Sequence, residues 1–178
     1  MVAGLLLLAL AGGTVGAVLF VRAMNRQRLD ARLVAIAPLA VGAPGLESAA
    51  SAIARTVAER LRAEGGGGRA GGGAIRPVPA PEAGRAWDSH IAPAEAAVLL
   101  AQRTGAGLVV LAQLWPHSGA DSVRLVARLL DVGDNTVRAL YEIRASREQA
   151  PALGDSLARL LLREFAMGSV RTGARGSG

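Results

Sequence analysis

Neither cysteine nor lysine occurs anywhere in these 178 residues, and aromatic side chains make up only 3% of them. Without cysteine there is no disulfide, no lipid-modified cysteine anchor, no thiolate nucleophile and no cysteine-ligated zinc or iron–sulfur site. Histidine is scarce too: His90 and His117 are the only two, each in loop-like sequence with no second ligand at metal spacing. No metal and no cofactor is expected, and no small-molecule substrate is evident. The shortage of aromatics argues against a nucleic-acid partner, because single strands are held on stacking platforms and duplexes by clustered basic reading elements. All twenty basic residues are Arg, against fourteen acidic ones, for a net charge of +6. Abundant Ala and Gly beside an absence of Lys point to a GC-rich coding sequence, so an Arg here is not in itself a sign of bidentate recognition. The excess charge still draws the chain toward anionic lipid headgroups or acidic partner surfaces.

What the chain does have is one long apolar run. From Val2 to Val21 there are twenty residues without a charge, which as a helix cover about 30 Å, the hydrocarbon thickness of a bilayer. A cleaved signal peptide would need a basic segment before the run, and none is there, although Val21 and Ala23 could occupy the small positions before a cut and keep cleavage as an alternative. A buried core helix apolar on every side would need a larger domain around it. The expectation is a retained transmembrane helix over 1–22, followed by a basic juxtamembrane linker over 23–32. Arg22, Arg26, Arg28 and Arg32 lie on the C-terminal flank, so the positive-inside rule places the domain after the run in the cytoplasm, at a bacterial inner membrane. Gly12 and Gly16 form a GxxxG that would let a neighbouring membrane helix approach closely.

About 150 residues remain, enough for one domain with a real core. Leu33 to Val41 (LVAIAPLAV) reads as a buried strand broken near Pro38. Leu46 to Ala63 places Ala50, Ile53, Val57 and Leu61 at helical spacing. Gly65 to Gly73 holds seven glycines in nine residues; it comes after a helix and has no Lys, so it is a connector and not a phosphate loop. Ala74 to Val78 reads as a short strand whose prolines suit a sheet edge. Glu82 to Ile91 reads as irregular, with Trp87 covering the core. Pro93 to Thr104 is a second helix stopped by Gly105. Leu108 to Trp115, Val123 to Val132 and Val137 to Ala145 form an antiparallel meander with a tight turn at Gly133 to Asn135. Ala152 to Met167 is a third helix with a leucine stripe, and 168–178 reads as a flexible tail. The fold class is therefore an α/β (α+β) sandwich over 33–167, with a mixed sheet of about five strands and three helices. Its core is expected to include Leu33, Ile36, Ile53, Val57, Leu99, Val109, Leu111, Leu129, Tyr141, Leu157 and Leu161.

Three segments in this order resemble the α/β domain of the TolB N-terminal type: LVAIAPLAV, AEAAVLLAQRTGAGLVVLAQLW and VRLVARLLDVGDNTVRALYEI. They are similar to that family's opening "VAVLPF" strand, its "IARELGADYVLxGxV" helix and strand, and its "VRVxxxLxDxxTGxxLW" hairpin. The resemblance runs from Leu33 to Phe165. It departs from the pattern at Ala106-Gly107, where the family has Ala-Asp, at Asn135-Thr136, where it has Thr-Gly, and in the glycine tract. A related domain sits between the membrane span and the repeats of some bacterial receptor-like kinases and adenylate cyclases. The resemblance implies a scaffold for protein contacts at a membrane with no catalytic residues to carry over, usually outside the cytoplasm, which makes a periplasmic placement the alternative to the one the Arg flank gives.

Catalytic groups are sparse. Asp88, Ser89 and His90 are adjacent on an irregular segment, whereas working triads are assembled from distant positions. Asp131 and Asp134 flank a turn, where Asp serves turn chemistry. The reading is of a non-enzymatic, membrane-anchored accessory subunit that stabilises a larger integral-membrane complex, such as a bacterial photosynthetic or respiratory one. Its partners would be integral-membrane subunits. A sensory domain binding a small ligand or envelope partner is the first alternative, and a membrane-anchored hydrolase the second.

Overall fold

The computed structural model describes residues 29–65, 75–117 and 121–173. Gly12, Gly16, Arg22, Arg26 and Arg28, with the apolar run, lie outside the described residues, as does most of the glycine tract. No described helix is long and apolar enough to cross a membrane.

Strand β1, Asp30–Ile36, and the two-residue β2, Ala40–Val41, are the halves of LVAIAPLAV on either side of Pro38. Helix α1 is Glu47–Gly65, β3 is Arg76–Pro77, and a short helix α2, Ala80–Ala86, comes next. Helix α3, Pro93–Thr104, has Pro at its first turn and Gly105 in the left-handed region at its end. Then come β4, Ala106–His117, β5, Ser122–Asp131, and β6, Thr136–Ser146. A 3-10 turn, Ala150–Ala152, leads into α4, Leu153–Gly173.

The sheet is mixed and has six strands in the order β3-β1-β4-β5-β6, with β2 added alongside β4. Strands β1 and β3 are parallel to their neighbours, and β4 to β6 form the expected antiparallel meander. β4 is the centre because Ala106 to Val110 is buried on both faces, which is how a continuous apolar run is accommodated in a sheet. On one face Val34, Leu108, Leu114, Leu125 and Leu129 pack against Ile53, Val57 and Leu61 of α1 and Leu157 and Leu161 of α4. On the other, Ala35 and Val109 pack against Ala97, Leu100 and Ala101 of α3 and Ala83 of α2.

Several details depart from expectation. There are four helices rather than three, because the start of Glu82 to Ile91, expected to be irregular, belongs to the helix Ala80–Ala86, and six strands rather than about five, because Pro38 splits the first one. Asp30 to Arg32, expected in the linker, already belong to β1, and α4 continues through 168–173, expected to be tail. His117 ends β4 instead of lying in a loop. Leu33, Leu99, Leu111 and Tyr141 are half-buried, and Leu100 takes the fully buried place that Leu99 was expected to fill. Where the family has Asp after Ala106 this chain has Gly107, and a Cβ there would come within 2.8 Å of the Ala31 Cα and the Asp30 carbonyl oxygen, so the β1 backbone leaves no room for a side chain at that point. Asp30 is also tied down as β1 begins. Its carboxyl is held below the usual carboxylate range, first by the Arg32 backbone N–H at 2.9 Å and then by Arg76 at 2.8 Å.

Candidate interaction surface

The two faces of the sheet are covered unequally. α1 and α4 together shield β1, β4, β5 and the inner side of β6. On the other face α3 reaches only as far as Leu111, Leu130 and Val132. Among the described residues no element lies over the rest of β5 and β6.

Strand pairing lays out what that bare face carries. Directly opposed residues of an antiparallel ladder point to the same side. Val109 therefore aligns with Leu130 and Val137; Leu111 with Arg128 and Leu140; Gln113 with Val126 and Glu142; and Trp115 with Arg124 and Arg144. Exposure agrees with the register. Of the four large hydrophobic side chains most exposed among the described residues, three are on this face: Trp115 at 41%, Val137 at 57% and Leu140 at 64%. Half-buried Val126, Leu130 and Leu111 join them into a strip. Single exposed apolar residues are ordinary; a connected group on one sheet face makes this one the candidate contact surface.

Charge on the face is uneven: Arg124, Arg128 and Arg144 stand against the one carboxylate of Glu142. Arg144 donates to Glu142 Oε1 from Nε at 3.0 Å and from Nη2 at 2.7 Å, and Arg124 Nη1 lies 4.0 Å from the same oxygen. These guanidiniums hold the Glu142 carboxyl below its usual range, the Arg144 hydrogen bonds first. Arg128 makes no ion pair among the described residues. Trp115 is fixed rather than loose. Its indole lies over Gly42, where any Cβ would overlap the ring, and its Nε1 donates to Gln113 Oε1 at 3.4 Å.

The remaining sequence candidates are not brought together. Arg32 is exposed on β1, close to none of the bare face's charges. His90 donates its backbone N–H to Asp88 Oδ1 at 3.0 Å, and Asp134 donates its own to Asp131 Oδ1 at 3.2 Å, so Asp88 and Asp131 both cap local turns. Among the described residues no three His, Asp or Glu side chains gather as a metal site would require. Surface recesses lie elsewhere on the domain. One, about 310 Å³, lies between α1 and α4, lined by Arg60, Glu64, Asp155 and Arg159; Arg60 pairs there with Asp155 at 2.7 Å and Glu64 at 3.3 Å, so its charges largely satisfy one another. Another, about 260 Å³, is lined by Pro38, Leu39, Val41, Ala50, Ala54, Glu47 and Ser51, mostly small and apolar.

No protein-family model matches the sequence, and no curated protein matches it. Solved structures do share the fold. Lipoprotein GNA1162 from Neisseria meningitidis is similar at a TM-score of 0.50 and 13% identity, over 76% of this chain and 96% of that one. TolB from Acinetobacter baumannii is similar at 0.48 and 16%, over 76% of this chain but only 28% of TolB. The LpoB C-terminal domain from Salmonella enterica is similar at 0.48 and 12%, over 67% of this chain and 85% of that one. What this likeness supports is a mixed α/β fold, shared with lipoprotein GNA1162 at a TM-score of 0.50, and no sequence-level family match stands beside it.

Proposed function

We propose that this chain is a non-enzymatic, single-pass accessory subunit that braces a larger integral-membrane complex through its extrinsic α/β domain. The observation that carries the reading is the half-covered sheet: a rigid face presenting Trp115, Val137 and Leu140 among Arg124, Arg128 and Arg144. A domain that keeps such side chains in water gains by burying them against a partner, at about 25 cal/mol per Å² of apolar surface. Arg at a contact surface adds planar, multi-donor recognition of acidic groups. The twenty-residue apolar run supplies the tether and Gly12 and Gly16 a close-packing side for a second membrane helix. The basic flank favours the cytoplasmic side of a bacterial inner membrane.

Purification of the chain from its native membrane in mild detergent, followed by mass spectrometry, tests the reading. A stoichiometric integral-membrane companion is expected, and Trp115→Ala combined with Leu140→Asp should weaken its retention. Migration as a lone monomer removes the subunit reading.

A further inference from the structure

We infer that the bare strip over β5 and β6 is the seat of one amphipathic helix, belonging to a partner protein and carrying acidic residues beside its apolar stripe. The inference rests on reading that face as a contact surface, and goes further in naming what sits there. Three observations lead to it: the width of the strip, the position of its apolar side chains and the sign of its charge.

Width comes first. On the covered face α1 and α4 pack side by side and between them span the sheet. On the other face α3 packs mainly on β4, and α2 stays on the β1 side. Strands are about 4.8 Å apart, so two strands beyond β4 lies about 10 Å from α3, the usual distance between packed helix axes. One helix, about 10 Å across with its side chains, fits beside α3 and completes the second layer. A sheet or a loop would leave part of the strip wet.

The apolar positions suit a helix laid along the strands. Leu130 and Val137, then Leu140, then Val126, then Trp115 succeed one another along the ladder. A stripe at i, i+3, i+4 and i+7 of an incoming helix meets such a line, the helix-in-groove mode of recognition.

Charge selects the occupant. Arg124, Arg128 and Arg144 face it with Glu142 already held by Arg144. The segments that flank the domain in this sequence are the wrong sign, with Arg22, Arg26 and Arg28 before it and Arg171 and Arg175 after its leucine stripe. A second copy docked face to face would bring together two strips with the same excess of positive charge. An acidic helix from another protein answers both the apolar strip and the excess of guanidinium groups.

The test uses the full chain in zwitterionic lipid nanodiscs, with Trp87→Phe so that Trp115 alone reports, and empty nanodiscs as reference. Two synthetic eighteen-residue peptides share a leucine stripe at helical spacing and differ only in carrying Glu or Lys beside it. The Glu peptide should shift Trp115 emission to the blue and bind about tenfold more tightly than the Lys peptide at low salt, the sum expected of a few exposed ion pairs. Arg128→Glu with Arg144→Glu, both at exposed positions, should invert that preference. Leu140→Asp should abolish binding of both peptides without changing thermal unfolding. Equal binding of the two peptides, a preference that survives the double reversal, or equal binding of a scrambled Glu peptide with no apolar stripe overturns the inference. The outcome is separate from that of the membrane-complex reading: a chain that co-purifies with a companion but fails the charge inversion refutes the helix alone, and one that inverts but migrates as a monomer refutes the complex alone.

Discussion

Tyr141, the only tyrosine in the chain, turns its ring inward from β6 toward α4 and keeps a buried hydroxyl without a hydrogen-bond partner among the described residues. Burial pushes its pKa up to about 12, with Glu164 adding to the rise and Arg138 opposing it. A pKa raised in the folded state means stability that is whole below the ordinary tyrosine value and lost as the pH climbs. Tyrosinate absorbance, which here reads a single residue, should therefore titrate near 12, and the domain should lose stability between about pH 10 and 12. A midpoint near the ordinary value of about 10 would mean that the ring is not packed as described. Trp115 makes a second single-residue prediction. Gly42→Val places a side chain where the indole lies, so the ring must swing off β2; in a Trp87→Phe background its emission should move to the red with little change in melting temperature. The packing of Trp87 on the core and the turn role of Asp131 were legible in the sequence, because each depends on its immediate neighbours. The half-burial of Tyr141 was not, because it depends on how far α4 extends over β6.

Elements were legible in proportion to their periodicity. α1, α3 and the meander each carry enough alternating or helical spacing to be placed within a residue or three of their observed bounds. α2 was not, since APEAGRA has Pro and Gly in seven residues and buries only Ala83; its helicity comes from packing on α3 and β1 rather than from propensity. The exchange of Leu99 for Leu100 has a similar origin. Both fall on the apolar side of α3, and only the rotation with which that helix meets β4 decides which is sealed. The bare face was half visible: the alternation of Glu142 and Arg144 against Tyr141 and Ile143 marks which β6 residues point away from α4, but the bulge between Leu129 and Leu130 turns Val137, expected inward, onto the bare face, and nothing in the sequence says that α3 reaches no further over β5 than Leu130. At this scale two substitutions test the layering. Val109→Asp puts an unpaired charge on the central strand, fully buried between α3 and the sheet, and should unfold the domain at a cost of several kcal/mol. Leu100→Ala opens a cavity under α3 and should cost about 2–5 kcal/mol in chemical denaturation. A much smaller loss would mean that α3 does not seal that face.

The whole molecule adds a constraint of reach. Only eight residues, 22–29, separate the apolar run from Asp30, and eight residues extend no more than about 28 Å. With the run in a bilayer, the end of the sheet where β1 begins must stay near the membrane. That end is shared by Gly105, whose carbonyl accepts the Asp30 backbone N–H at 2.8 Å, and by the β5–β6 turn, since Asp131 pairs with Leu108 and Thr136. Trp115 lies nine residues further along β4 than Ala106, about 30 Å away at the rise of a strand. With the anchor proposed above, the bare strip would begin near the bilayer and run outward, the course a helix takes when it continues out of a neighbouring membrane span. Which side it runs to is set, in our reading, by Arg22, Arg26, Arg28 and Arg32, all on the C-terminal flank of the run. Protease added to sealed right-side-out spheroplasts should leave the domain intact, and replacing Arg22, Arg26 and Arg28 by neutral residues while adding Arg before Val2 should expose it. Digestion of the natural chain would place the domain outside, as the TolB resemblance implies, and would require something stronger than flanking charge to hold it there.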